Sequence, residues 1–224
     1  MTVTELSNTL MFMSSPPDSK LDSKLCIIKA AASLFAKLGL DKCSTREIAK
    51  QADSNISLIS YYFGGKEGLY KEVMRSYALE IKANAQSIVD EIHSTELTQE
   101  VFVNELGKII GNIINTRTNN PEMSQIFSRE KLAGMPHSKE IHKDIFYPLI
   151  LNFYKLINLG QKKGFVKQDI NPALLFILMS ESIWGFYEVM DCQILLSQDC
   201  NEIAKDPTKL KDQILNIFLT GVLK

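Results

Sequence analysis

The chain has 224 residues, 45% of them apolar, and a formal net charge of −1, which is long enough for one or two domains with a sizeable core. No apolar run reaches the roughly 18–20 residues of a membrane span; the longest candidate, Pro172 to Met179, stops at Ser180 and Glu181. The first Lys is Lys20, so no basic signal-peptide region opens the chain, and a cytoplasmic protein without a membrane partner is expected.

Charge is distributed unevenly. Residues 20–75 hold 10 Lys and Arg against 6 Asp and Glu, whereas residues 76–224 hold 15 against 18. A basic front on an acidic body suits a module that touches phosphates. The cysteines Cys26, Cys43, Cys192 and Cys200 form no CxxC pair. Reduced, mostly packed thiols are expected, with a thiol switch at Cys192 and Cys200 left open.

Residues 1–19 are rich in Ser, Thr and Met, contain Pro16-Pro17 and show no period; they read as a disordered N-terminal arm. The first helix starts near Asp22 or Ser23. Leu25, Ile28, Ala32 and Phe35, with Ala31, Leu34 and Leu38, recur at helical spacing, and Gly39 ends it. Ser44-Thr45-Arg46-Glu47 has the S-x-x-E form of a capping box and opens a short second helix that buries Ile48, Ala49 and Ala52. Asp53-Ser54 makes a turn, and Asn55 is an N-cap for a third helix. There Ile56, Ile59 and Phe63 share one face, with Ser57, Leu58, Ser60 and Tyr61 opposite; Gly64-Gly65 breaks the helix.

Beyond it the chain reads as helical throughout. A helix of about 40 Å runs from Lys66 to Ile92. Thr95 or Thr98 caps the next, to about Arg117. Asn120-Pro121 opens a short helix to Ala133. Ser138 caps a long one ended by Gly164, with a kink expected at Asp144–Phe146 because Pro148 lies inside it. Asp169 or Asn171 opens a strongly apolar helix through Leu175, Ile183, Trp184 and Tyr187, and the last runs from Pro207 to Val222.

Phe35, Gly39, Thr45, Ile48, Ala49, Ala52, Ile59, Tyr62, Phe63, Lys66, Glu67 and Leu69 stand at offsets that, over Leu25 to Val73, resemble the DNA-binding domain of TetR-family transcriptional regulators. The run YYFGGKEGLY is especially like the CerR-type subgroup. Two positions depart from the pattern: Asp53-Ser54 replaces the usual Gly-Val turn, and Ser60 stands where a Tyr is usual. The resemblance implies an all-α protein: a three-helix helix-turn-helix domain over 20–66 and a helical ligand-binding and dimerisation domain over 67–224. It further implies a homodimer joined through the last two long helices, a double-stranded DNA operator of near-palindromic sequence, a small-molecule effector of unknown identity, and action as a repressor.

The DNA-facing residues expected on this basis are Thr45, Arg46, Asn55, Ser57, Leu58, Ser60, Tyr61, Tyr62 and Lys66. Arg46 is suited to a guanine edge. Leu58 is suited to a thymine methyl, while Tyr62 and Lys66 are suited to phosphates. In the body, Phe127, Phe146, Phe153 and Trp184 are candidate walls of a ligand pocket. Glu181 and Ser182 interrupt an apolar helix, and Glu181 reads as a buried carboxylate that needs a partner or a cationic ligand. His93, His137 and His142 read as surface residues, because their spacing fits no structural zinc pattern. No nucleophile elbow, zinc-protease helix, Walker loop or Rossmann turn occurs, so neither an enzyme nor a cofactor is expected. The rival reading is a dimeric helical effector-binding or adaptor protein without specific DNA binding.

Overall fold

The computed structural model describes residues 19–94 and 97–223, with side chains over 23–85 and 97–223. The arm expected over 1–19, apart from Ser19, lies outside the described residues, as do Thr95 and the side chain of His93. The chain forms two compact units that meet in sequence between Val73 and Met74. The predicted boundary at 66/67 falls seven residues earlier, because the first two turns of the fourth helix pack with the front.

In the front unit, α1 (Ser19–Lys42) is interrupted at Gly39, whose φ of 79° and ψ of 170° suit glycine alone. α2 (Thr45–Gln51), α3 (Ser57–Phe63) and the start of α4 (Lys66–Ser94) follow. The buried stripe of α1 runs through Ile27, Ala31 and Phe35, whereas Leu25 is exposed. It is rotated from the expected stripe by about one residue. Leu25, Ile27 and Ile28 offer two overlapping sets at helical spacing, and packing selects one. Phe35 meets the edge of Tyr70 at a centroid distance of 5.0 Å, with Ile48, Ala49, Ile59 and Leu69 buried in the same unit.

α4 continues into the body, which adds α5 (Gln99–Asn119), α6 (Pro121–Leu132), α7 (Lys139–Ile141), a π-helical segment His142–Phe146, α8 (Tyr147–Lys163), α9 (Pro172–Asp191), the short α10 (Leu195–Asp199) and α11 (Asn201–Ala204), and α12 (Pro207–Val222). Among the described residues there is no strand, only an isolated antiparallel pair, Val166 and Leu223. α5 lies at the centre. Its Phe102, Leu106, Ile110 and Ile114 pack with Phe153 and Ile157 of α8, Met179 and Ile183 of α9, and Leu210 and Ile214 of α12. Caps come from Thr98, Asn171 and Asp206, whose side-chain oxygens accept first-turn amides.

The kink expected before Pro148 takes the form of the π segment. Proline has no amide to return to the carbonyl four residues back, and the widened turn absorbs the mismatch. Ser138 does not cap as expected; its side chain is fully buried and makes no cap hydrogen bond. α9 also amends the membrane expectation. Its 20 residues are long and apolar enough, by length and composition, to cross a bilayer. Glu181 interrupts the run without lowering the average enough.

Candidate nucleic-acid interface and effector cavity

The second and third helices are set by short-range polar chemistry. The Glu47 amide donates to Ser44 Oγ at 3.2 Å, and the Ser44 amide donates back to Glu47 Oε2 at 3.0 Å, which closes the capping box. These Ser44 hydrogen bonds hold the Glu47 carboxyl below its ordinary value. Asp53 takes the turn with φ of 47°, a conformation that Asp tolerates better than most side chains. The Ser54 amide closes the turn onto Ala49 O at 3.0 Å. Asn55 Oδ1 then accepts from the Ser57 amide at 2.9 Å and from Ser57 Oγ at 2.8 Å.

Gly68 holds α3 against α4. A Cβ at that position would lie 1.8 Å from the Phe63 carbonyl oxygen. The glycine in YYFGGKEGLY is therefore a condition for the close passage of the two helices, a role the sequence reading did not assign.

Arg46, Asn55, Ser57, Ser60 and Tyr61 are exposed, Tyr61 to 76%, and Thr45 and Tyr62 are half-buried. The Tyr62 ring sits edge-on between Tyr61 at 5.1 Å and Phe63 at 6.0 Å. Two assignments on α3 change: Leu58 is half-buried, and Ile56, expected inside, is 43% exposed. Helical period defines an angular sector but not how far along the axis the core reaches, and Ile56 is the N-cap, just before the first turn. Lys50, one turn on from Arg46 and also exposed, extends the basic side of α2 and was not anticipated.

Lys66 is engaged within the front unit. Its ammonium donates to the carbonyl oxygens of Leu40 at 2.8 Å, Cys43 at 3.1 Å and Asp41 at 3.3 Å. All three donors thus close the end of α1, where the chain leaves carbonyls without helical partners. Lys24, likewise basic, is held by Glu72 at 3.0 Å and lies 5.7 Å from the centroid of the Phe63 ring. Of the thiols, only Cys43 is buried; Cys26 and Cys192 are exposed, against the expectation of packing. Burial, with Glu47 nearby, raises the Cys43 thiol against the lowering influence of Lys66.

The body contains a cavity of about 480 Å³ between α4, α5, α6, α8 and α9. Phe127, Phe146, Phe153, Glu181 and Trp184 all line it, joined by Tyr77 and Phe176. Phe127 stacks edge-on with Phe146 at 5.5 Å, and Phe153 with Phe176 at 5.3 Å. The Tyr77 hydroxyl donates to Thr116 O at 3.1 Å. Burial, aided by Glu80 and opposed by Arg117, pushes its pKa far up, so it is a neutral donor. Glu181 is not the buried carboxylate expected: it is about half exposed and pairs with Lys131. Ser182 donates to Met179 O at 2.8 Å, within its own helix.

Polar residues missed in the sequence complete the picture. Arg117 is buried in α5, pairs with Asp191, and lies 6.0 Å from the Trp184 centroid and 5.5 Å from that of Tyr187. Tyr187 is raised by burial and lowered by Arg117. His142 lines the cavity. His137, rather than being solvated, stands 3.0 Å from buried Glu130 through Nδ1. Burial raises Glu130, but the His137 amide and ring and the Ser138 hydroxyl outweigh it and hold the carboxyl below its ordinary value.

Residues 27–73 match the family model described as bacterial regulatory proteins, tetR family. The chain is 30% identical over 144 residues to the probable HTH-type transcriptional regulator YttP of Bacillus subtilis, covering 64% of this chain and 67% of that protein. It is 31% identical over 147 residues to the HTH-type transcriptional dual regulator CecR of Shigella flexneri, covering 60% of this chain and 63% of that protein. The chain thus spans about two thirds of the length of these relatives. In fold it is similar to the ketosteroid transcriptional regulator KstR2 of Mycobacterium tuberculosis. The TM-score is 0.67 at 21% identity, with 90% of this chain and 95% of that chain covered; at that identity the likeness shows the fold alone. These matches do not single out a CerR-like subgroup.

Proposed function

The chain belongs to the TetR family of bacterial regulatory proteins and is a helix-turn-helix transcriptional regulator; from that premise we propose that it is a ligand-responsive repressor that binds a near-palindromic operator as a homodimer. The observation that carries the reading is the polar, exposed outer side of α2 and α3, Arg46 and Lys50 with Ser57, Ser60 and Tyr61, set on a scaffold of buried Ile48, Ala49 and Ile59. Arg46 reads a base edge, Lys50 and Tyr62 bind phosphate, and the small Ser57 and Ser60 permit close approach to the major groove. Asn55 and Thr45 position the two helix starts at the backbone. Half-buried Leu58 contributes at the margin. Lys66 acts indirectly, by fixing the end of α1.

The partner copy docks on α9 and α12. Leu174, Ile177 and Leu178 of α9 and Ile217 of α12 are exposed in the single chain, and an apolar outward face of this kind is the usual mark of an interface. We assign that face to a second copy rather than to lipid, and place the protein in the cytoplasm. Two recognition helices would then enter major grooves about 34–36 Å apart. The effector occupies the cavity in the body. α9 supplies both cavity wall and dimer face, so occupancy alters the spacing of the two DNA-binding units, with α4 as the covalent link to each.

Selection of bound sequences from random DNA tests the reading, and should return inverted half-sites with centres about one helical turn apart. Affinity should fall steeply with salt; Lys50→Ala should reduce the slope of log K against log salt by about 1, whereas Arg46→Ala should cost about 1–3 kcal/mol on the operator and relax specificity at one position. A feeble, salt-independent interaction would instead support a dimeric effector-binding protein without specific DNA binding.

A further inference from the structure

Among the described residues, the charged groups facing the body cavity are few, and they do not balance. The described side chains of α4, α5 and α8 that line it are neutral, and the π segment contributes His142. α6 contributes one cation, Lys131, while α9 contributes two carboxylates, Glu181 and Glu188. Lys131 is paired with Glu181. Glu188 lines the cavity on its solvent-exposed side; it accepts a hydrogen bond from the neutral Ser128 hydroxyl at 2.9 Å, and among the described residues no cation pairs with it. Arg117, close to the Trp184 ring, is neutralised by Asp191. The walls are aromatic, and aromatic faces carry the negative lobe of the ring quadrupole. A carboxylate without a counter-ion beside aromatic faces favours a cation over a neutral or anionic guest.

We infer that the cavity takes an amphipathic organic cation, with an apolar or aromatic body among Phe127, Phe146, Phe153 and Trp184 and its positive charge at Glu188. This deepens the effector-cavity reading and rests on it. About 480 Å³ accommodates a compact drug-sized molecule. The Lys131–Glu181 pair at the same wall opposes the cation. Removing Lys131 therefore strengthens binding of the guest, which no purely structural role of that lysine would do.

The test uses two probes of matched shape and opposite charge, tetraphenylphosphonium and tetraphenylborate, titrated into the full-length protein. Trp184 is the only tryptophan in the chain and lines the cavity, so its fluorescence reports occupancy directly. Tetraphenylphosphonium should bind roughly tenfold more tightly than tetraphenylborate. Glu188→Gln should erase most of that preference, and Lys131→Met should enlarge it, with thermal melts verifying that each variant is folded. Equal or tighter binding of the anion would overturn the cationic class while leaving an effector cavity in place. A preference unchanged in Glu188→Gln would overturn the assignment of the charge to that residue. Absence of any Trp184 response to either probe would overturn both the inference and the cavity reading beneath it.

Discussion

The front unit and the body hold their shape by different means. The front is small and is determined largely by backbone chemistry: a capping box, an Asp in a left-handed turn, an ammonium closing a helix end, and one glycine where two helices pass closely. The body is larger and rests on side-chain packing around α5, but it leaves a cavity unfilled and buries an arginine. The first arrangement suits a rigid reading head, since polar contacts at fixed offsets leave it few alternative geometries. The second suits the ligand-responsive role proposed for the body, because an aromatic-lined cavity beside a buried charge gives a guest something to reorganise.

If that contrast is right, the most damaging single change lies in the front. Gly68→Ala forces a Cβ to 1.8 Å from a backbone oxygen. It should destabilise the front by about 3 kcal/mol or more, read as an early unfolding transition in urea with loss of DNA affinity; an unchanged midpoint would contradict the close-passage argument. In the body, Asp191→Asn leaves the buried Arg117 without its counter-charge. The cost should be about 2–3 kcal/mol, visible in the body's transition and in the Trp184 emission. A neutral outcome would mean that the rings of Trp184 and Tyr187 alone hold the guanidinium.

Smaller effects sharpen the comparison. Ser44→Ala should cost about 1 kcal/mol by opening the capping box, and Glu47→Gln should cost less, because an amide still reaches the Ser44 backbone. The body has an acid-sensitive point that the front lacks in buried form. The folded Glu130 carboxyl titrates below its unfolded value, so its contribution is fully present above about pH 4.3 and is lost as pH falls through the folded value. A urea midpoint followed from pH 6 to pH 3 should therefore decline less steeply in Glu130→Gln than in the native chain. Parallel curves would remove Glu130 from the account of acid stability.

Several elements were legible because their causes are local. Ser44 and Glu47 lie three residues apart, Asp53 needs only its own backbone, and Thr98 and Asn171 cap helices that begin beside them. Pro148 announced a kink because its missing amide is a property of the residue itself. The five aromatic and acidic residues proposed for a pocket do line one cavity, since large side chains on the inner faces of neighbouring helices leave gaps where they meet.

Other features were decided by partners distant in sequence. Lys66 looks like a phosphate ligand in a list of residues, yet 26 positions separate it from the Leu40 carbonyl that it serves. Glu181 looked buried because its helix is apolar, but only the position of α6 places Lys131 beside it. Leu25 and Ile27 compete on equal terms within one helix until the neighbouring helices choose a side. The amino-acid sequence by itself determined the helical elements, their caps and the family pattern, all of which depend on interactions within a few residues. Tertiary structure alone decided which faces are buried, where the lysine donors go, and which carboxylate is left, among the described residues, without a cation, because each is a competition among groups that only the folded chain brings together.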